Sequence, residues 1–222
     1  PRLNGLMALD PAAWSALRLA LSRALRSGSS LAPRLAGCLV AQAQAEFDLP
    51  ATIGDYTDFF TSTTHAENTS HLISADRPIP SNYWWHPLAY HGRASSVRLS
   101  GTDFHRPYGQ VMGPGQTTPD FGPCQRLDYE LELGVFLGGH NALGTPVRME
   151  EAEQRVFGIC LLNDWSARDH QFWEMTPLGP FLGKNFLTSI SPWIVTAEAL
   201  VPFRKAPWRP EGKTDVLPYL DS

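Results

Sequence analysis

The segment LDYELELGVFLGG, residues 127–139, constrains the fold of this chain more than any other. Its apolar and aromatic residues are typical of a strand, yet Glu130 and Glu132 stand one residue apart within it. Side chains two apart on a strand point to the same face, about 6–7 Å from each other. Two anions this close repel each other and lose hydration, and a divalent cation would relieve both effects. The alternative is an exposed strand face with two solvated glutamates.

The other side of this predicted strand is apolar. Tyr129, Leu131 and Leu133 alternate with the two glutamates, so we expect these three side chains to face the core together. The chain has 222 residues, of which 43% are hydrophobic. That is enough for one large domain, or for a domain with an extension.

Composition excludes several functional classes. The net charge of −4 gives no general affinity for nucleic acid or for an anionic membrane surface. No apolar run reaches the roughly 18–20 residues that a membrane span needs. Cys38, Cys124 and Cys160 lack metal-like spacing, which favours reduced thiols in a cytoplasmic protein. Cys38 and Cys160 lie in apolar runs, so we expect both in the core.

The first part of the chain has helical signals. Asp10 can cap a helix, Pro11 suits its first turn, and Gly28 suits its exit. A second, shorter helix is predicted through Leu39–Phe47. Residues 1–50 are therefore predicted to form a helical connector.

The character of the chain changes from about residue 51. Short β-branched and aromatic runs alternate with turn signals, which predicts a mainly β, mixed α+β domain over residues 51–222. Met149–Arg155 is predicted to be a short helical piece. The predicted strands are Ser95–Leu99, Tyr129–Leu137, Val156–Leu162 and Trp193–Thr196.

The segment LLNDWSARDHQFWE, residues 161–174, passes from an apolar strand into a predicted helix. Asp164 at this junction is a candidate metal ligand, although it could instead cap the helix. Arg168 and Gln171 are three residues apart, so they share a helix face and can project toward Asp164. An ordinary salt bridge, with Asp164 itself as one option, is the alternative for Arg168.

The segment IGDYTDFFTSTTH, residues 53–65, adds Asp55, Asp58 and His65 in a loop-like setting. Asp58 joins Glu130, Glu132 and Asp164 as a fourth carboxylate without a neighbouring cysteine. Hard oxygen ligands of this kind suit Ca²⁺ or Mg²⁺ rather than zinc. A lone histidine such as His65 is more often structural than catalytic.

The segment PLGPFLGKNFLT, residues 177–188, places Lys184 in a predicted apolar loop rich in turn residues. Burying an ammonium without a partner is unfavourable, so Lys184 is a candidate for stabilising an oxyanion. An exposed loop lysine is the alternative.

The motifs IGDYTDF, YHGRASSV, LDYELELGVFLG, LLNDWSARDHQ and PLGPFLGKNF, in this order, closely resemble the fumarylacetoacetate hydrolase family. The resemblance implies a catalytic domain built as a mixed β-roll, active as a homodimer. It also implies an SH3-like domain before residue 1 and further catalytic-domain sequence after residue 222. We therefore expect the chain to be a fragment, with residues 1–50 as the helical N-terminal extension of the β-roll.

The resemblance also assigns roles to residues. It implies that Ca²⁺ is held by Asp58, Glu130, Glu132 and Asp164, and that Lys184 and Thr188 belong to a magnesium site. His65 matches the histidine that activates water. The residues that match stabilisers of the oxyanion and of the carbanion leaving group are Arg168, Gln171 and Lys184, and Tyr90 matches a tyrosine at the mouth of the site.

The implied reaction is hydrolysis of the carbon–carbon bond of 4-fumarylacetoacetate to fumarate and acetoacetate, in tyrosine and phenylalanine breakdown. Three substrate-binding positions depart from the family pattern. Phe60 and Met175 stand where the family has tyrosines, and Ser74 stands near the place of an arginine, with Arg77 close by. The glutamate that orients the histidine in the family would lie beyond residue 222.

Two other interpretations stay open. One is a related enzyme acting on another small diketo or oxo acid, such as an acylpyruvate hydrolase, a decarboxylase or an isomerase. The other is a fragment without catalysis that binds only a metal or a partner subunit.

Overall fold

A computed structural model describes residues 2–73, 76, 78–206, 208, 211 and 216–220 of the chain. The helices are α1 (Asn4–Met7), α2 (Pro11–Leu25), α3 (Ala32–Leu35), α4 (Thr63–Ile73), α5 (Met149–Ala152), α6 (Arg168–Glu174), α7 (Leu182–Asn185) and α8 (Ala197–Leu200). The strands are β1 (Thr57–Phe59), β2 (Ala89–His91), β3 (Val97–Leu99), β4 (Tyr108–Val111), β5 (Asp120–Pro123), β6 (Leu127–Asp128), β7 (Leu131–Leu137), β8 (Val156–Asp164), β9 (Ser166–Ala167), β10 (Thr188–Ile190) and β11 (Val195–Thr196).

The central element is β8, which pairs with strands on both of its edges. It runs antiparallel to β7 on one edge, and to β10 and β11 on the other. The strand β3 then adds to β10 in parallel, which completes a five-stranded mixed sheet. The run VFGICLLND explains this central place, because a strand paired on both edges and covered on its faces is rich in apolar residues.

In the described part of the chain, three two-stranded units accompany this sheet. They pair β1 with β2, β4 with β5, and β6 with β9, each antiparallel. The described structure combines helices with sheet, which confirms the predicted mixed fold class. The β-roll architecture stays a prediction. The division at residue 50 stays a prediction. Within the described residues, no helix has the length and apolar character needed to cross a membrane.

The helix signals near residue 10 are confirmed. Asp10 accepts a hydrogen bond from the Ala13 N–H at 2.8 Å, Pro11 is the first helical residue, and Gly28 has a φ of +76° after the helix ends. The helix packs on the sheet through Trp14, whose ring meets Phe157 edge-on with centroids 5.2 Å apart.

The second predicted helix, Leu39–Phe47, is wrong. The structure has only a short turn of 3-10 helix there, Gln42–Gln44. Phe47 packs instead on Trp193, with ring centroids 4.9 Å apart, so a tertiary contact replaces a helical face. Cys38 is exposed, contrary to expectation, whereas Cys160 is buried as predicted.

The predicted strands exist with shifted limits. The strand β7 begins at Leu131 rather than Tyr129, and β8 continues two residues beyond Leu162. The segments around residues 95–99 and 193–196 are strands only at their C-terminal ends, β3 and β11. The predicted helical piece Met149–Arg155 is confirmed as α5 and a following turn of 3-10 helix.

The predicted orientation of β7 is wrong. Tyr129, Leu131 and Leu133 are exposed, with Leu131 at 75% of its maximum, while Glu132 and Phe136 are half-buried on the opposite face. Phe136 packs against both apolar clusters of the core. The polar glutamate face therefore points toward the interior of the described structure.

Candidate metal centre and active site

Three carboxylates from three strands converge at one point. Asp58 lies in the middle of β1, Glu132 is the second residue of β7, and Asp164 ends β8. One carboxylate oxygen from each lies within 4.8 Å of the others. Glu132 and Asp164 approach each other because β7 and β8 pair in antiparallel register, with Glu132 opposite Leu162.

The pKa values of these acids show how strongly burial opposes their ionisation. Burial raises the pKa of Glu132 to about 8, and the nearby charges of Asp58 and Asp164 add to the effect. Burial likewise raises the pKa of Asp164 to about 7 against the opposing pull of Lys184. Burial also raises the pKa of Asp58. Three acids that ionise reluctantly need either protons or a cation among them.

The donor set fits a hard divalent cation. All three groups offer carboxylate oxygens, which Ca²⁺ and Mg²⁺ prefer. Asp164 is only 1% exposed, and its Oδ1 has no hydrogen-bond partner among the described residues. A buried carboxylate oxygen left in this way is the kind of atom that a metal ion satisfies.

Glu130 has a different environment, although the sequence pairs it with Glu132. Its Oε1 accepts a hydrogen bond from Arg168 Nη2, and its Oε2 accepts one from Lys184 Nζ, both at 2.6 Å. Burial opposes ionisation, but Lys184 and Arg168 outweigh it and lower the pKa of Glu130. Two protein cations thus neutralise this carboxylate, and it stands outside the group of three.

Lys184 connects Glu130 to the carboxylate centre. It is 4% exposed, and its Nζ also donates to Asp164 Oδ2 at 2.5 Å. The predicted apolar loop is wrong here, because Lys184 belongs to the one-turn helix α7. The alternative of an exposed loop lysine is wrong as well. A protonated lysine has no acceptor, so its side chain balances charge here rather than binding a cation.

The helix α6 carries the predicted pair Arg168 and Gln171 on one face, and Arg168 Nη1 donates to Gln171 Oε1 at 3.0 Å. Arg168 also binds Asp128 Oδ2 through Nε at 2.9 Å. The ordinary salt bridge of Arg168 therefore exists, but with Asp128 and Glu130 rather than Asp164. Asp164 does not cap α6, whose N-cap residue is Ala167.

His65 lies in α4 at the edge of the carboxylate group. Its Nε2 is 3.4 Å from Glu130 Oε1, so the histidine and the paired glutamate are neighbours. The ring of Phe60 meets the imidazole edge-on at 5.3 Å, and Tyr83 packs on Phe60 at 6.1 Å. One side of His65 thus faces an acid, and another faces an aromatic wall.

Two tyrosines support the centre from the side of β1. Tyr90, on β2, donates a hydrogen bond to Asp58 Oδ2 at 2.9 Å, and Asp58 and Tyr90 are opposite each other in the strand pair. Tyr56 OH lies 3.2 Å from Thr188 Oγ1. Burial raises the pKa of Tyr56 to about 12, so it stays a neutral hydroxyl.

Of the remaining predicted residues, Thr188 lies beside the carboxylate centre, and Asp55 and Met175 lie in different surroundings. Asp55 is exposed, and Met175 is half-buried directly after α6. Thr188 is buried at the start of β10, opposite Asp164. Ser74 lies outside the described residues, and so does Arg77.

Sequence reasoning overlooked Tyr56 and Asp128, and the same signal could have found both. Tyr56 precedes Asp58 by two residues, and Asp128 precedes Glu130 by two. In an extended chain this spacing puts each pair on one face. The alternation of side chains between two faces therefore begins two residues earlier in each segment, at Tyr56 and at Asp128, than the predicted metal ligands indicated.

The arrangement defines a class of site: an acidic centre for a hard cation, with a lysine, an arginine and a histidine around a neighbouring glutamate. Comparison with known proteins agrees. Residues 56–209 match the family model for the fumarylacetoacetate (FAA) hydrolase C-terminal region. The chain belongs to the fumarylacetoacetate hydrolase family.

Curated relatives include the fumarylacetoacetases of Caenorhabditis elegans and Homo sapiens. The first is 48% identical over 90% of this chain and 50% of its own length. The second is 45% identical over 99% of this chain and 53% of its own length. The chain thus spans about half the length of the curated relatives it matches.

Solved structures give weaker likenesses. A probable 2-hydroxyhepta-2,4-diene-1,7-dioate isomerase from Mycobacterium abscessus matches with a TM-score of 0.44 and 21% identity, over 84% of this chain and 56% of that chain. A fumarylacetoacetate hydrolase from Exiguobacterium antarcticum matches with a TM-score of 0.39 and 21% identity, over 68% and 46%.

Proposed function

We propose that this chain carries the metal centre and most of the catalytic groups of an enzyme that hydrolyses 4-fumarylacetoacetate to fumarate and acetoacetate. The observation that carries the proposal is the convergence of Asp58, Glu132 and Asp164 beside Lys184 and His65. The activity of the full-length relatives supports it, since they are named fumarylacetoacetases.

The metal would be Ca²⁺ or Mg²⁺, held by Asp58, Glu132 and Asp164. When bound, such an ion acts as a Lewis acid toward the oxygens of a β-diketone. Glu130 would contribute as a ligand only if Arg168 or Lys184 released one of its oxygens.

His65 would take the proton from the attacking water, a role suited to imidazole near neutral pH. Glu130 supports this assignment. Its Oε1, 3.4 Å from Nε2, would stabilise the imidazolium once the proton has moved. Glu130 thereby supplies within this chain a carboxylate next to the base.

Lys184, Arg168 and Gln171 would hold the negative charge that develops on the attacked carbonyl and on the departing carbanion. Because Arg168 donates to Gln171 Oε1, the amide oxygen is already engaged and the NH₂ end of Gln171 is the donor for the substrate. These groups are fixed by existing hydrogen bonds, so little reorganisation accompanies the reaction.

The substrate would lie against Phe60, Tyr90, Gln171 and Met175, with Ser74 a further predicted contact. Tyr90 already donates to Asp58, which fixes its hydroxyl at the metal centre.

A related reaction on a less polar substrate is the second candidate function. The Phe60 ring against His65 favours it, because this ring offers no hydroxyl to a charged acyl group, and the hydroxyl of Tyr83 behind it donates to the Thr61 carbonyl instead. Acylpyruvate hydrolysis would use the same base and the same metal centre. A decarboxylase could dispense with His65, and a fragment that only binds metal would need none of the groups on α6.

The assembly would be a homodimer in the cytoplasm, with no nucleic-acid or membrane partner. Four apolar side chains on the exposed face of β7 support self-association, and we call them the outer stripe: Leu131, Leu133, Val135 and Leu137. Contiguous exposed apolar surface often marks an interaction site. Sedimentation velocity of the purified chain tests this, and a monomer at micromolar concentration would contradict it.

Turnover of fumarylacetoacetate tests the main proposal. We expect hydrolysis with Ca²⁺ or Mg²⁺ and none after chelation. His65→Ala is expected to lower kcat by about 10²- to 10⁴-fold, the range of a general base. Glu67→Gln is the matched control, because Glu67 is exposed on the same helix and should leave kcat within about twofold of the wild-type value. Equal rates with and without metal would contradict the proposal.

A further inference from the structure

The helix α6 is seated between two glycines. On one side, a Cβ at Gly109 would lie 2.9 Å from Nδ1 of His170 and 3.0 Å from its Cγ. On the other side, a Cβ at Gly183 would lie 2.8 Å from the backbone N of Gln171. Cβ atoms essentially never approach other atoms this closely, so both positions need glycine for space alone.

The imidazole of His170 is enclosed within the protein. It is 1% exposed, and neither ring nitrogen is hydrogen-bonded to another described residue. Packing alone therefore holds the ring against the backbone of β4. A closely packed interior transmits any displacement of such a ring to the helix that carries it.

Further contacts tie α6 to the same two elements. Trp173 Nε1 donates to Gln110 Oε1 on β4 at 3.2 Å. Glu174 Oε1 accepts hydrogen bonds from the Phe181 N–H at 3.0 Å and from the Gly183 N–H at 2.6 Å. The β4–β5 hairpin and α7 therefore fix the helix from both sides.

This seating matters because the same helix presents Arg168 and Gln171 to the candidate active site. Gln171 directly follows His170, and Arg168 precedes His170 by two residues. A shift of the His170 ring away from β4 would move the Arg168 guanidinium relative to Glu130, from which it is now 2.6 Å distant.

We propose that Gly109 and His170 are positioning residues for the reaction. Because Gly109 has no side chain, the His170 imidazole can pack directly against the backbone of β4. This packing fixes the position of α6, and with it the positions of Arg168 and Gln171 relative to the charge that develops on the substrate. The inference rests on the proposed function for its kinetic consequence. Its structural consequence, the seating of α6, is independent of substrate.

The chain offers a matched control. Gly122 is the register partner of Gly109 in the β4–β5 hairpin, and a Cβ there would meet nothing within 4 Å. Gly109→Ala and Gly122→Ala therefore make the same chemical change in paired positions of one hairpin. Only the first of them presses on His170.

The kinetic experiment compares these two variants with His170→Ala and with the double variant Gly109→Ala/His170→Ala. We expect Gly109→Ala to lower kcat by about 10- to 100-fold with KM nearly unchanged, since a misplacement of about 1 Å costs on that order. Gly122→Ala should stay within about twofold of the wild-type rate. His170→Ala should lower kcat less than Gly109→Ala does, because the ring is lost but nothing presses on α6. The double variant should match His170→Ala, because removal of the ring relieves the clash and the two changes are not additive.

Equal behaviour of the two glycine variants would overturn the proposal, and so would a double variant no faster than Gly109→Ala. Should Gly109→Ala fail to fold, the double variant answers the same question. It folds if the contact with His170 is responsible, and it fails as well if the clash lies elsewhere.

A second readout separates this inference from the proposed function. Amide hydrogen exchange over residues 168–174 needs no substrate, and we expect faster exchange in Gly109→Ala than in Gly122→Ala. Faster exchange together with an inactive wild-type chain would keep the seating of α6 and reject the hydrolase. Unchanged exchange would reject the seating itself.

Discussion

The two faces of β7 differ more than their sequence suggests. One face carries Glu132 and Phe136, half-buried, toward the metal centre and the core. The other face carries the outer stripe, which is exposed although all four of its side chains are apolar. Alternation thus separates two faces reliably but does not say which of them is inside. The interior is decided by what the rest of the chain places against each face.

Ion pairs stabilise the region next to the inner face of β7, and Lys184→Met is expected to lower the free energy of unfolding more than any other variant considered. Among the described residues, the variant leaves Asp164 without a cation and Glu130 with Arg168 alone, and loss of one member of a buried pair costs about 3–5 kcal/mol. Urea unfolding of the metal-free chain at pH 8 measures the loss. Lys205→Met, at an exposed lysine, is the control and should change stability by less than about 0.5 kcal/mol. Similar losses in both variants would show that Lys184 does not hold the site.

Two neighbouring apolar residues on β7 distinguish its inner face from the outer stripe. Phe136→Ala should destabilise the chain by about 2–4 kcal/mol, because the ring packs against both core clusters. Leu137→Ala, one residue further on the outer stripe, should cost less than about 0.5 kcal/mol while the stripe is exposed. Urea unfolding below 1 μM protein, where association is weak, measures both. A large loss of stability in Leu137→Ala would mean that other parts of the protein bury the outer stripe.

The smallest expected effect is a pH dependence in the free energy of unfolding of the metal-free chain. Burial raises the pKa of Glu132 from 4.5 to about 8, so between these values the folded chain keeps a proton that the unfolded chain has lost. Stability should therefore fall as pH rises from 6 to 8, by about 1–2 kcal/mol. Asp164, with its pKa raised to about 7, adds to the fall over the same range, so Glu132→Gln, which cannot ionise, should reduce this slope without abolishing it. A wild-type chain that is more stable at pH 8 than at pH 6 without metal would contradict the assignment.

The elements that depend on neighbouring residues in the sequence were predicted correctly. The cap at Asp10 and the proline after it placed α2, and the apolar run after Val156 placed β8. Spacing by two residues brought Glu130 and Glu132 to notice together, although only Glu132 belongs to the group of three carboxylates.

Long-range contacts determined the rest. Only the fold shows that Arg168 and Lys184 neutralise Glu130 while Glu132 joins Asp58. Turn residues around Lys184 concealed a single helical turn, which is stabilised by Glu174 from another helix. These features depend on partners distant in sequence, so no window of residues could contain the information.

Calorimetric titration of Ca²⁺ into the chelator-treated chain at pH 8 measures whether the three carboxylates bind a metal ion. We predict one site in the wild-type chain and an affinity at least about 100-fold lower in Glu132→Gln, since even loss of an outer-shell partner of a metal site costs about 10- to 100-fold. Asp55→Asn, at an exposed carboxylate three residues from Asp58, should bind as the wild-type chain does. Equal affinity in Glu132→Gln, or no binding of Ca²⁺ or Mg²⁺ by the folded wild-type chain, would contradict a metal site at Asp58, Glu132 and Asp164.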